Sequence, residues 1–91
     1  MERRTAVKID DALKTVVDYY SREIGCVPDA DKQAVFTGAL QNGLTFDSLW
    51  AAIDYAVSVV GLGAAERDYW PHIYKEACRI WREMKKEKAA P

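Results

Sequence analysis

The sequence predicts an all-α protein, a small single-domain bundle of four to five helices whose last helix is long. Apolar residues recur every three or four positions in each long segment, which is the spacing of amphipathic helices. No segment alternates apolar and polar residues as a half-buried strand does. A chain of 91 residues, with 49% hydrophobic and 30% charged residues, is the size of one domain with one modest core.

The whole chain, residues 1–91, is therefore predicted to be one helical domain. Within it, we expect a flexible N-terminus over residues 1–8 and a core over residues 9–84. The last residues, 85–91, read KKEKAAP and offer no apolar side chain to anchor them. We expect these residues to form a flexible basic tail.

The first two helices have clear ends in the sequence. The first is predicted from Asp10 to Ile24, with Gly25 at the position where a glycine commonly ends a helix. The second is predicted over residues 30–41, and either Asp29 or Asp31 could cap its N-terminus. The residues predicted to face inward on the second helix are Ala34, Val35, Phe36, Ala39 and Leu40.

The second half of the chain has a central helix and a long terminal one. Thr45 caps the third helix, whose inward stripe is predicted to contain Phe46, Leu49, Trp50, Ile53, Ala56, Val57 and Val60. Proline is tolerated in the first turn of a helix but not in its interior. Pro71 therefore predicts a short helical turn over residues 64–69 and a separate long helix that begins at Pro71. The inward stripe of that helix is Ile73, Ala77, Ile80, Trp81 and Met84.

Charge is distributed unevenly along the chain. The net charge is −1, but residues 1–8 carry about +2, residues 9–71 carry −6 and residues 72–91 carry +3, counted from the sequence. Two interpretations follow from this pattern. The charges are either the solvated faces of ordinary helices, or they form an acidic protein-binding body with a basic tail.

The sequence offers no catalytic, cofactor-binding or metal-binding residues. His72 is the single histidine, and Cys26 and Cys78 form no metal-ligand motif. The break Gly61-Leu62-Gly63 lacks the remainder of a phosphate-binding loop. We therefore expect no enzyme activity, no cofactor and no small-molecule substrate. Because no run of eighteen apolar residues and no signal peptide are seen, we expect no membrane association and a cytoplasmic location with reduced thiols.

Aromatic residues are numerous for so small a chain, which contains three tryptophans and five tyrosines. Trp50 and Trp81 lie on apolar stripes and are predicted to be core residues. The other aromatics are hard to bury together, and exposed aromatics favour contacts with partners. The predicted acidic and aromatic protein-binding surface contains Asp18, Tyr19, Asp54, Tyr55, Asp68, Tyr69 and Trp70.

The order of several residues resembles the C-terminal DnaD-like domain of bacterial primosome proteins and phage replisome organisers. Tyr20 and Gly25 end the first helix, LWAAIDYAV (49–57) resembles the family's I-x-x-A-L-x-x-A-V signature, and IYKEACRIW (73–81) resembles its last motif, Y-x-x-x-I-L-x-x-W. The likeness covers about residues 16–84. In the last motif, the family's tyrosine is replaced by Ile73 and its apolar pair by Ala77-Cys78. The family's separate N-terminal oligomerisation domain has no counterpart here, so we expect a stand-alone phage-type protein in the bacterial host cytosol.

The resemblance implies a non-catalytic replication module that contacts DNA weakly or binds a replication protein. The side chains predicted to contact nucleic acid are Tyr74, Lys75, Arg79, Arg82, Lys85, Lys86 and Lys88. Two alternatives stay open. One is a small acidic phage-type inhibitor that binds a host or defence protein, for example a nuclease. The other is a homodimer of helices with a structural role.

Overall fold

The computed structural model describes the backbone of residues 2–89 and the side chains of residues 9–87. The backbone forms four helices in the order α1 (Glu2–Ile24), α2 (Ala30–Gln41), α3 (Phe46–Val60) and α4 (Glu66–Ala89). The described residues contain no strand. The predicted all-α fold with a long last helix is therefore confirmed.

The predicted ends of α2 and α3 agree with the structure. Asp29 is the N-cap of α2 and accepts a hydrogen bond from the backbone N–H of Lys32 at 2.9 Å, which decides between the two candidate caps. This hydrogen bond also holds the pKa of Asp29 below its ordinary value. Thr45 caps α3 through the backbone N–H of Ser48. Each cap satisfies an N–H group that the first turn of a helix leaves free.

The N-terminal end of α1 differs from the prediction, because the helix begins at Glu2 rather than at Asp10. At the other end of the chain, α4 continues past Met84 to Ala89. Met1, Ala90 and Pro91 lie outside the described residues, as do the side chains of residues 2–8, 88 and 89. The flexibility expected for residues 1–8 and 85–91 stays a prediction.

Pro71 does not separate two helices, so the predicted break at this residue is wrong. It lies in the second turn of a continuous α4. Tyr69 and Ile73 are both fully buried and lie one turn apart on either side of the proline. Only a continuous helix keeps both side chains on the face that packs against the core. The proline leaves the carbonyl of Arg67 without its helical hydrogen bond, at a residue that is exposed.

Replacing Pro71 by alanine is therefore expected to stabilise the protein by about 1–3 kcal/mol, because it restores a helical hydrogen bond at an exposed position. The matched control is Pro28→Ala in the α1–α2 connection, where the ring is fully buried and its loss should destabilise. Thermal unfolding followed by circular dichroism measures both changes. A lower melting temperature for Pro71→Ala would contradict the expected gain.

α3 lies at the centre of the bundle. It packs against α4 and α1, and α1 packs in turn against α2. The core side chains come from all four helices and the α2–α3 connection. They are Val16, Tyr20, Ile24, Phe36, Leu40, Leu44, Leu49, Ala52, Ile53, Ala56, Tyr69 and Ile73. Trp50 and Trp81, predicted to be core residues, are partly buried, and Trp81 packs at the edge of this cluster.

The orientation of α2 corrects part of the predicted inward face. Phe36 and Leu40 are buried and Ala39 is partly buried, as predicted. Ala34 and Val35 are instead exposed. Both lie beside a groove between α2 and α4 that Cys78 also lines.

No helix in the part of the chain that the structure describes is both long enough and apolar enough to cross a membrane.

Candidate binding surface

Cations lie in a row along the solvent side of α4, and this row is called the α4 basic face below. Its members are Lys75, Arg79, Arg82 and Lys86. All four are exposed, and their spacing of three or four residues puts them on one side of the helix. The structure thus brings together four of the six cations predicted to contact nucleic acid.

A shallow depression of about 390 Å³ opens on the α4 basic face. Lys75, Arg79 and Arg82 line it, together with Tyr74 from the same helix and Tyr55 from α3. The two tyrosines are 50% and 46% exposed, respectively. Cations can contact phosphates, and exposed aromatic rings can stack on bases. Tyr55 was assigned from the sequence to the acidic surface, and only the packing of α3 against α4 reveals that it lies beside these cations.

One of these cations is already paired within the helix. Arg79 donates from Nε and from a terminal nitrogen to the two carboxylate oxygens of Glu76, at 2.8 and 2.9 Å. This paired hydrogen bond holds the pKa of Glu76 below its ordinary value and raises the pKa of Arg79. Glu76 also lines the depression, so it reduces the positive charge that an anionic ligand would meet.

The remaining predicted cations are not part of the same surface. Lys85 lies over the ring of Trp81, with its Nζ 4.5 Å from the ring centroid, on the side of α4 that faces α2. A cation held over an aromatic face gains about 0.5–1 kcal/mol at an exposed site. The side chain of Lys88 lies outside the described residues. The α4 basic face therefore ends at Lys86 for the residues that the structure describes.

The predicted acidic and aromatic surface is divided by the fold. Tyr69 must be removed from it, because this residue is fully buried. Its hydroxyl donates to the carbonyl of Gly61 and accepts from the backbone N–H of Ala64 at 3.1 Å. Trp70 is partly buried and packs edge-on against Phe36, with ring centroids 5.6 Å apart. Both aromatics therefore stabilise the bundle.

Asp18, Tyr19 and Asp54 make up a second part of that prediction and come from α1 and α3. Tyr19 donates its hydroxyl hydrogen bond to the carboxylate of Asp54, and its ring packs against Trp50 with centroids 4.7 Å apart. The hydrogen bond to Asp54 raises the pKa of Tyr19 to about 12. Asp18 and Asp54 are exposed. This pairing joins α1 and α3.

A polar cluster at the start of α4 was not predicted from the sequence. Tyr20, fully buried, donates to Glu66 with an O–O distance of 2.7 Å. Lys32 lies 3.8 Å from the other Glu66 oxygen and 3.2 Å from Asp29. These contacts connect α1, α2 and α4. Their residues are far apart in the sequence, so no local motif could predict them. The cluster ties helix ends together.

Cys26 does not have the environment of an activated thiol. Cys26 is an exposed residue just after α1, but partial desolvation of its thiol, and then the nearby Glu66 carboxylate, raise its pKa. A raised pKa lowers the fraction of reactive thiolate. No group of three or more His, Cys, Asp or Glu side chains that could hold a metal ion is present among the described residues.

Fold and surface together define an all-α domain of four helices that carries a row of cations on its last helix. Comparison with known proteins finds no match to a family model, to a curated protein or to a solved structure. The DnaD-like resemblance seen in the sequence therefore stays a prediction.

Proposed function

We propose that the chain is a non-catalytic helical module that binds single-stranded nucleic acid weakly through the α4 basic face, in a replication role of the kind that the DnaD-like resemblance implies. One observation carries the proposal. Three cations and two half-exposed tyrosines line one depression, and this combination suits phosphates together with unpaired bases. A duplex offers its phosphates but keeps its bases stacked, so it would use only the cations.

Weak binding follows from the number of charges. Lys75, Arg79 and Arg82 face the ligand together with Glu76, so the depression carries a net charge of about +2, and Lys86 adds one more. For three or four phosphate contacts, affinity for a single strand should fall roughly 20- to 50-fold between 50 and 200 mM salt.

The test is fluorescence anisotropy with a labelled single-stranded oligonucleotide and the matching duplex, at low and moderate salt. Arg82→Glu and Lys75→Glu should weaken binding of the single strand strongly. Arg22→Glu and Lys14→Glu are the matched controls, because they make the same charge changes at exposed positions on α1. Equal effects of the two sets would show that only net charge matters and would contradict a site on α4.

Two further variants separate the components of the site. Tyr55→Ala should weaken binding of the single strand by about 1–3 kcal/mol, the range for loss of one stacked base, and should leave duplex binding unchanged. Glu76→Gln should strengthen binding, because it frees Arg79 from its partner. If the wild-type chain binds neither nucleic acid at low salt, the proposed function is wrong.

A protein partner is the second candidate function, and the exposed acids beside Tyr19 favour it. Asp18 on α1 and Asp54 on α3 are both exposed, and exposed carboxylates could enter a basic nucleic-acid groove of a host protein. Capture of a basic partner that is lost in Asp18→Asn and retained in Arg82→Glu would support this inhibitor function over nucleic-acid binding.

A further inference from the structure

Glu76 is the one carboxylate among the described residues that line the depression on the α4 basic face. Its side chain is only 15% exposed, whereas the side chain of its partner Arg79 is 59% exposed. The carboxylate is thus better shielded from solvent than the guanidinium that pairs with it. A ligand that displaces Arg79 would gain contact with this carboxylate inside the depression.

The pair between Glu76 and Arg79 has a defined geometry. The Nε–H of Arg79 donates to one carboxylate oxygen at 2.8 Å, and a terminal N–H donates to the other at 2.9 Å. Two neighbouring N–H donors thus meet both oxygens of one carboxylate, an arrangement that fixes orientation as well as adding energy. This pairing also holds the pKa of Glu76 below its ordinary value. The carboxylate is therefore ionised at neutral pH and can only accept hydrogen bonds.

A ligand can exchange with this ion pair at little cost. Arg79 and Glu76 are three residues apart on one helix, and pairs of this kind that are open to solvent contribute little to stability. The exchange needs two partners. A ligand that supplies two neighbouring donors to Glu76 and an anion to Arg79 leaves neither charge unpaired.

Guanine is the base that supplies two such donors. Its Watson–Crick edge carries N1–H beside the 2-amino group, which matches the two N–H groups that Arg79 presents to the carboxylate. Adenine and cytosine present one amino group beside an acceptor nitrogen, and thymine and uracil present one N–H between two carbonyl oxygens. Those acceptors repel a carboxylate. Because unpaired bases are read on this edge, a carboxylate in the depression favours guanine.

Two aromatic rings border the same depression. Tyr55 from α3 and Tyr74 from α4 line it, and both rings are about half-exposed. The volume of about 390 Å³ lies near the lower end of the range for ligand sites, so the depression has room for one base rather than several. Stacking on a ring accepts every base. A preference among bases must therefore come from hydrogen bonds, and Glu76 is placed to make them.

We propose that the depression binds a guanine base of a single strand, with Glu76 as the residue that selects it. The Watson–Crick edge of guanine replaces the Arg79 guanidinium on the carboxylate, and Arg79 contacts the adjoining phosphate instead. Lys75 and Arg82, which line the same depression, contact further phosphates. The guanine preference rests on the proposed function, because it concerns the same site and the same single strands.

Fluorescence anisotropy at low salt, on the full chain, tests the preference with three labelled DNA strands of roughly eight nucleotides. One strand contains only thymidine, the second has one central guanine, and the third has inosine at that place. Inosine lacks the 2-amino group and offers one donor. The guanine strand should bind about tenfold more tightly than the thymidine strand, with the inosine strand between them. RNA versions should behave alike, because none of these contacts involves the 2′-hydroxyl.

Glu76→Gln tests the assigned residue, because it keeps the size of the side chain and replaces one acceptor oxygen by an amide donor. This variant should lose the preference for guanine. It should also bind the thymidine strand more tightly than wild type does, since Arg79 is free. The stronger binding expected of Glu76→Gln therefore applies to strands without guanine. Glu83→Gln is the matched control, because it removes the same charge at an exposed position of α4 outside the depression, and it should keep the preference.

Free guanosine monophosphate separates a strand from a single nucleotide as the ligand. It should bind at least about tenfold more weakly than the guanine strand, because it brings one phosphate to a site with several cations. Equal binding of the guanine and thymidine strands would overturn the preference and leave single-strand binding intact. Tighter binding of the free nucleotide, or a preference that survives Glu76→Gln, would also overturn it. Binding of no strand would contradict the proposed function itself, and the guanine site with it.

Discussion

Replacing Tyr69 by alanine is expected to lower the free energy of unfolding by about 3–5 kcal/mol, the usual cost of removing a large buried aromatic side chain. Tyr69 is fully buried, and its hydroxyl holds the α3–α4 connection through the Gly61 carbonyl and the Ala64 N–H. A domain of this size has about 5–15 kcal/mol of total stability. The variant should therefore be partly unfolded under mild conditions.

Urea denaturation followed by circular dichroism measures the loss of unfolding free energy. Two further variants separate the contribution of the buried ring from that of the hydroxyl. Tyr69→Phe keeps the ring and removes only the hydrogen bonds, so it should cost about 1–3 kcal/mol. Tyr55→Ala is the control for loss of a half-exposed ring and should cost far less. If Tyr69→Ala and Tyr55→Ala were equally destabilising, the proposed role of Tyr69 in the core and connection would be wrong.

Raising the pH above 10 is expected to destabilise the fold, by up to about 1.4 kcal/mol per pH unit for Tyr20. Burial of the Tyr20 ring, and then its hydrogen bond to Glu66, raise the pKa of this phenol above its ordinary value of 10.0. Above that pH, Tyr20 in the unfolded chain loses a proton that the folded chain retains. The stabilisation is thus complete below pH 10 and is lost as the pH rises.

Urea denaturation at pH 8, 10 and 11 tests this expectation. Tyr20→Phe should be less stable at pH 8 by about 1.5–3 kcal/mol, the contribution of a hydrogen bond to a charged group, and should lose less stability at high pH. The raised pKa of Tyr19 acts in the same direction, but that side chain is partly exposed and solvent screening reduces its effect. Tyr55→Phe is the control at an exposed ring. An unchanged pH dependence in Tyr20→Phe would contradict the assignment.

Local signals in the sequence predicted the parts of the fold that are decided locally. The caps at Asp29 and Thr45 and the end of the first helix at Gly25 all depend on one turn of backbone. The inner part of the α3 stripe was predicted for the same reason, because Leu49, Ile53 and Ala56 repeat with the helical period. Phe46, predicted on the same stripe, is instead exposed.

The predictions were wrong where burial of side chains competes with backbone hydrogen bonding, and where apolar residues do not mark a single side of a helix. At Pro71, burial of Tyr69 and Ile73 on one stripe outweighs the lost hydrogen bond. On α2, apolar residues lie on the solvent side as well as on the buried side, so the period could not show that Val35 faces solvent.

The candidate surfaces were harder to predict than the fold, since they combine residues that are distant in the chain. The spacing of Lys75, Arg79 and Arg82 predicted their shared face. Nothing local placed Tyr55 beside them or Glu66 beside Tyr20. The first neighbour follows from how α3 packs against α4, and the second from how α1 meets the start of α4.

The connections between helices have a consequence for how the chain reaches its fold. They span only residues 25–29, 42–45 and 61–65, and α3, which contacts both α1 and α4, lies near the middle of the sequence. Most native contacts therefore join neighbouring helices, a topology of low contact order that favours rapid folding. We therefore expect α3 to be part of the folding nucleus, with α1 and α4 assembling on it in either order.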